Sequence, residues 1–274
     1  MKHSKFILLA LPLLLGLSRT RADDNGRGTK AIALGNAFVA IADNAWSLRY
    51  NPAGLARLRA FHGSAFYVPE QFGLPELRTV AAAAAMPLGF GGVGMAVDQF
   101  GFDLYRETHV AAGAGTTLEG GVSGGLAINL HSFSIEHYGS TQRVTLDLGL
   151  MAEAAPGFVL GFGMKNVTGT SIGPLGERLP QVFSLGSLFT PVPDCSISVE
   201  LEKDTRLPFM LKAGVEQWLF DALALRVGVS DNPNKVSAGF AARTSGVEFA
   251  YAGYSHNQLG WTHQLEISIW FDEK

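Results

Sequence analysis

Charge, cysteine and long apolar runs are what this sequence has least of. Asp, Glu, Lys and Arg make up 16 % of its 274 residues, against about 25 % in an ordinary soluble domain. A large soluble enzyme needs more charge than that on its surface. Cys195 is the only cysteine, which excludes an intrachain disulfide framework and a cysteine-based metal site. Past the leader, one uncharged stretch, Thr79 to Val97, has the length of a membrane helix. Pro87-Leu88-Gly89 interrupts it and Gly91, Gly92 and Gly94 follow, so it reads as a hairpin.

Catalytic signatures are also missing. His62, His109, His131, His137, His256 and His263 are scattered without metal spacing. Gly89-Phe90-Gly91-Gly92-Val93-Gly94 matches a nucleotide-binding pattern literally but leads into a strand, not a helix. No serine has a nucleophile signature. The expectation is a non-enzymatic protein with no cofactor and no metal.

Met1 to Ala22 has the form of an export signal: Lys2, His3 and Lys5, then the apolar Phe6 to Leu17, then a small residue at Ala22. It takes Lys2, Lys5, Arg19 and Arg21 and no acid, so the remainder is acidic and does not suit nucleic acid as a partner.

Glycine and alternation are abundant. There are 33 Gly, 47 % of residues are hydrophobic, and the mean hydropathy is +0.18. From Phe61 onward apolar and polar residues alternate. Arg143–Leu150 places Val144, Leu146, Leu148 and Leu150 on one face and Arg143, Thr145, Asp147 and Gly149 on the other. Cys195–Glu202, Leu223–Ser230 and Leu265–Phe271 behave alike, which is the strand period. The spacing predicts strands near 61–68, 78–87, 92–99, 106–115, 122–132, 141–153, 157–166, 181–190, 194–203, 208–219, 222–230, 235–243, 246–255 and 263–271.

The connections alternate between short and long, as in outer-membrane barrels. One strand face is apolar with almost no charge. The other holds Arg143, Asp147, Lys165, Glu200, Glu202, Lys212, Glu216, Arg226, Glu248 and Glu266 among Gly, Ala and Ser. A charge facing lipid at mid-depth costs roughly 2–4 kcal/mol, so these ten are expected to line the lumen. They would either pair with one another or set selectivity. Tyr67, Tyr105, Tyr138, Trp218, Phe220, Trp261 and Phe271 lie near strand ends, as interfacial aromatics would. The fold class is all-β: a closed antiparallel transmembrane barrel of about fourteen strands.

Gly28 to Leu55 does not alternate. Ala31, Leu34, Ala37, Phe38 and Ile41 fall at helical spacing, and Ala31 to Ala42 is uncharged. Asn51-Pro52-Ala53-Gly54 reads as an abrupt reversal opening a very short helix, with Asn51 as cap and Pro52 in the first turn. Ahead of a barrel, this stretch has one roomy place to go, the lumen. The expected organisation is a signal at 1–22, a hatch at 23–60, a barrel at 61–271 and a tail at 272–274.

Ala42-Asp43-Asn44-Ala45 and Asn51-Pro52-Ala53-Gly54-Leu55-Ala56 resemble the N-terminal motif of PorV/PorQ-type proteins, which belong with the FadL-like long-chain fatty-acid transporters. Leu211–Asn232 and Gly246–Phe271 resemble the C-terminal part of the same barrels. The resemblance implies a fourteen-stranded bacterial outer-membrane barrel with a lumenal hatch that includes Asp43, Asn44, Asn51, Pro52, Ala53 and Gly54. It implies passive transit of hydrophobic small molecules or, alternatively, an accessory role with secretion-system proteins. A sealed structural barrel is the third possibility. The expected partners are outer-membrane lipid and one of these cargoes, with the chain as a monomer. Its outside loops are short beside those of the family.

Overall fold

The computed structural model describes residues 26–172, 177–256 and 259–272. The expected signal and the last two residues of the expected tail lie outside them. Fourteen strands close into one antiparallel barrel. They are β1 (Ala60–Val68), β2 (Thr79–Leu88), β3 (Gly91–Gly101), β4 (Tyr105–Thr117), β5 (Val122–Ile135), β6 (Gly139–Ala155) and β7 (Phe158–Lys165). After these come β10 (Val182–Val192), β11 (Cys195–Asp204), β12 (Phe209–Leu219), β13 (Leu223–Ser230), β14 (Lys235–Thr244), β15 (Val247–His256) and β16 (Gly260–Asp272). The chain between β7 and β10 carries a small separate hairpin, β8 (Ser171–Ile172) with β9 (Glu177–Arg178). The wall begins at Ala60 and runs through Asp272, so the expected tail starts inside the last strand.

Neighbouring strands are consecutive around the wall, and β1 meets β16 with Ala60 opposite Asp272. Among the described residues, register shifts lie beside two short turns, at Glu153/Ala155 and Phe189/Val192. The Thr79–Val97 run is the β2–β3 hairpin, with Leu88 opposite Gly91.

Strand period two sorts the side chains. Outward go Met95, Ile128, Val144, Leu185, Val227 and Phe249, each more than half exposed. Burying such a face in water-free surroundings is the dominant gain a barrel of this kind has available. Ile128→Lys in β5 is therefore expected to cost roughly 2–4 kcal/mol of folding free energy in lipid vesicles, read from urea unfolding. A loss near zero would place that face outside the bilayer.

Inward go small residues on one side and charges on the other. Ala81, Ala83, Ala85, Ala96, Ala111 and Ala127, from β2 to β5, pack against the lumenal segment. Glu200, Lys212, Glu216, Arg226 and Glu266 are buried on β11, β12, β13 and β16. Trp218 departs from the expected interfacial belt. It points inward with the even-numbered residues of β12, and the Arg243 guanidinium lies 3.8 Å from its ring centroid.

Residues 26–59 fill the lumen. Ala31, Leu34, Ala37, Phe38 and Ile41 fall at helical spacing, and of that stretch the helix α1 (Thr29–Ala33) covers only the start. Gly35 and Asn36 have φ of 66° and 62°, a left-handed pair that ends the helix and turns the chain. The apolar residues still face one another: Ala31, Leu34, Phe38 and Ile41 form a buried cluster. A second short helix, α2 (Ser47–Tyr50), leads to Asn51 and a 3₁₀ helix over Pro52–Arg57.

Candidate functional site

The lumenal segment meets the wall in two ways. The first is backbone against backbone, on the β4–β6 side and also where Val39 meets Gly161 of β7 and Leu34 and Gly35 meet Gly214 of β12 and Gly228 of β13. A methyl group on Gly125 of β5 would collide with the backbone of Pro52 and Ala53, and one on Gly149 of β6 with the Asn51 side chain. These glycines serve close approach rather than flexibility. Gly125→Val is expected to keep the hatch from seating while the strands still close. Limited proteolysis of the folded barrel should then release residues 26–59, which the parent protein should protect.

The second contact is ionic, and it uses the wall carboxylates. Glu266 accepts from Thr29 N at 2.5 Å, Thr29 Oγ1 at 2.8 Å and Trp46 Nε1 at 2.7 Å. Glu200 Oε2 accepts from the backbone N–H of Phe38 and Val39, both at 2.9 Å. Its other oxygen accepts from Lys212 at 3.0 Å, and Lys212 also reaches Glu202 at 2.6 Å. Glu216 holds Lys30 at 3.2 Å and Arg226 at 2.6 Å, with Glu248 3.7 Å from Arg226. The lumen charges are therefore wall anchors for the hatch as much as partners for one another.

Three of the ten stand apart from these anchors. Arg143 bonds the carbonyls of Ser171 and Gln142 at 2.8 and 2.6 Å. Asp147 accepts from Asn166 N at 2.8 Å, where β7 ends. Lys165 lies over the Tyr50 ring at 5.6 Å.

The Asn-Pro-Ala reversal sits at the centre. Asn51 is fully buried. Its Oδ1 caps Ala53 N at 3.1 Å, while Nδ2 donates to Val39 O at 2.7 Å and Leu150 O at 3.1 Å. One amide thus ties two stretches of hatch to β6. Pro52 and Ala53 are buried beneath it, and Gly54 lies against the carbonyl of Ala42. Asn44 Oδ1 accepts from Trp46 N at 2.9 Å, and Asp43 pairs with Lys30 at 2.6 Å at the short-turn end.

One cluster has no precursor in the sequence reading. Asp98 of β3 accepts from Arg27 Nε and Nη2 at 3.1 and 2.8 Å and lies 3.2 Å from His109 Nδ1. Arg49 stands 3.8 Å from Asp98 and contacts His109. Arg27 and Asp98 are 71 residues apart, so no local pattern joins them.

Two pockets lie beside the hatch, and both reach β10–β12. The upper one, about 30 Å³, lies between Tyr50, Ser184, Glu200, Met210 and Lys212 toward the long loops. The lower, about 180 Å³, lies between Ile41, Leu188, Thr190, Ser196 and Trp218 toward the short turns. The hatch residues Phe38 to Ile41, held by Glu200 and packed near Leu188, separate them.

The fold itself has known counterparts. Over 90 % of this chain and 97 % of theirs, it superposes on the Ralstonia pickettii toluene transporter TbuX with a TM-score of 0.65 at 11 % identity. For the P. putida toluene transporter TodX the TM-score is 0.64 at 13 % identity, over 92 % of this chain and 100 % of that one. For a Pseudomonas aeruginosa FadL homologue it is 0.58 at 11 % identity, over 89 % and 97 %. The chain has the FadL-like barrel fold. No protein-family model and no curated protein matches its sequence.

Proposed function

We propose that this chain is a passive channel of the bacterial outer membrane for small hydrophobic molecules, gated by its own N-terminal segment. The observation that carries the reading is the pair of pockets on the two sides of the hatch. The hatch is seated on wall glycines both at β4–β6, under Pro52 and Ala53, and at Gly161, Gly186, Gly214 and Gly228, under Leu34 to Ala40, and two pockets lie on either side of it along β10–β12. A passage between them needs Phe38 to Ile41 to leave Glu200, the Asn51 amide and the wall at Gly161. The likeness to solved toluene transporters agrees with a hydrophobic cargo. In this reading the chain acts as a monomer, exchanges nothing covalently with its cargo, and has lipid as its permanent partner.

The test is uptake of toluene into proteoliposomes. Purified protein should raise the initial rate several-fold over empty vesicles. Rates equal to empty vesicles would overturn the channel reading and favour a sealed barrel. The anchoring of the hatch by Asp98, Glu200, Glu216 and Glu266 is what supports that second reading. A secretion accessory of PorV type rests on the likeness of the chain's two ends. It predicts that deletion abolishes surface delivery of exported proteins while toluene uptake is unchanged.

A further inference from the structure

The lower pocket has a composition of its own. Three wall strands end there with inward residues of mixed size: Leu188 and Thr190 from β10, Ser196 from β11, Trp218 from β12. Ile41 of the hatch closes the inner side and Pro193 lies at the turn. Trp218 is fixed in place by the Arg243 guanidinium. The volume, about 180 Å³, is comparable with an engineered protein cavity of about 150 Å³ that admits benzene.

Charge at the rim narrows the class further. Asp43, Asp194 and Glu216 line it with Lys30, and Arg243, stacked on the Trp218 ring and bonded to Asp221 O at 2.7 Å, stands behind that ring. Lys30 is committed to Asp43 at 2.6 Å and Glu216 at 3.2 Å. Arg226, behind Glu216, is paired with it at 2.6 Å. A carboxylate entering here meets acids of its own sign and a lysine already engaged, and desolvating it uncompensated is costly. A neutral ring meets Leu188, Ile41 and Trp218 and displaces only water.

We infer that this chamber is a binding site for a neutral, single-ring molecule on the short-turn side of the hatch, and that it excludes ring carboxylates. Its place as the last stop of a passage rests on the channel reading above; its occupancy does not. The site holds the ring between Trp218, Leu188 and Ile41, and the Lys30–Asp43 pair forms its lip.

Phenol and benzoate test the inference, since they share a ring and differ in charge at neutral pH. In a Cys195→Ser background, Ser196→Cys places the only thiol at the chamber wall, and Thr190→Cys places it on the neighbouring strand should the first variant not fold. The readout is the rate of modification by a small methanethiosulfonate reagent. Millimolar phenol is expected to slow it at least fivefold, and benzoate at the same concentration less than twofold. Leu188→Trp, added to either variant, should fill the chamber and remove the phenol effect. A reachable thiol that phenol does not protect, or equal protection by benzoate, overturns the site. Toluene uptake by the same preparations separates the two claims. Protection without uptake keeps the site and removes the passage; uptake without protection removes the site.

Discussion

Glu200→Ala is expected to raise toluene uptake through the reconstituted barrel at least tenfold, with the wall still folded. The carboxylate is 3 % exposed and takes three hydrogen bonds, two of them from consecutive backbone N–H groups of the hatch. Hydrogen bonds to a charged group are each worth about 1.5–3 kcal/mol. Removing the acceptor leaves Phe38 N and Val39 N buried without it, and Lys212 with Glu202 alone. The loss falls on the layer between the two pockets, not on strand pairing, because β11 keeps its full register with β10 and β12. If about 3 kcal/mol of it weakens the closed arrangement, the open population rises roughly a hundredfold, since each 1.4 kcal/mol is about tenfold. Part of that gain goes to relaxation, which is why tenfold is the expectation. Glu200→Gln should fall between, since its amide oxygen in the place of Oε2 still accepts both N–H groups while its NH2 faces Lys212 Nζ in the place of Oε1. Uptake unchanged in Glu200→Ala, with an intact heat-shifted band on a gel, would remove this residue as a gate.

The wall was legible because its signal is local. Lipid outside and lumen inside impose a two-residue period, and Val144 to Leu150 in β6 shows it without reference to any partner. The short-turn ends follow from Pro and Gly placement, as at Leu88–Gly91. Trp218 was misplaced because position near a strand end says nothing about face; its parity with Lys212 and Glu216 does, and counting back from them would have turned it inward. The hatch was legible as a separate unit but not in its path. Ala31, Leu34, Phe38 and Ile41 do cluster, as their helical spacing suggested, yet Gly35 and Asn36 end the helix after one turn by adopting positive φ. Asn visits that region more readily than most residues, so the break had a signal that the apolar period outweighed.

The candidate site was legible as residue types and not as roles. The inward charges of β11, β12, β13 and β16 could be named from alternation. That Glu200 and Glu266 accept from backbone and indole N–H groups of a segment some 160 to 240 residues away could not. Nor could the Arg27–Asp98 pair, since Asp98 lies in a strand otherwise read as uncharged and Arg27 in a segment with no period. Such contacts are set by where the hatch lands, and that depends on wall glycines whose purpose shows only when something lies against them.

Asn51→Asp is the sharper test of the reversal at the centre of the hatch. A cap role alone makes it nearly neutral, since Asp is as good a cap as Asn and keeps the oxygen that receives Ala53 N. The structure gives Asn51 a second role through Nδ2, which donates to Val39 O and Leu150 O. Aspartate turns that donor into an acceptor facing two carbonyl oxygens, inside a site from which water is excluded. A buried charge without a partner is worse than a missing bond. Asn51→Asp is therefore expected to destabilise the seated hatch by at least as much as Asn51→Ala. Alanine loses three bonds at about 1 kcal/mol each, against about 1 kcal/mol for a cap alone. The measurement is the protease susceptibility of residues 26–59 in the folded barrel, compared across parent, Asn51→Asp and Asn51→Ala. Both variants should release the segment, with aspartate the faster at neutral pH and slower again at a pH where it is protonated, because a neutral carboxyl restores one donor. If Asn51→Asp protects the hatch as the parent does, the residue is a helix cap and the bond to β6 does not hold the plug.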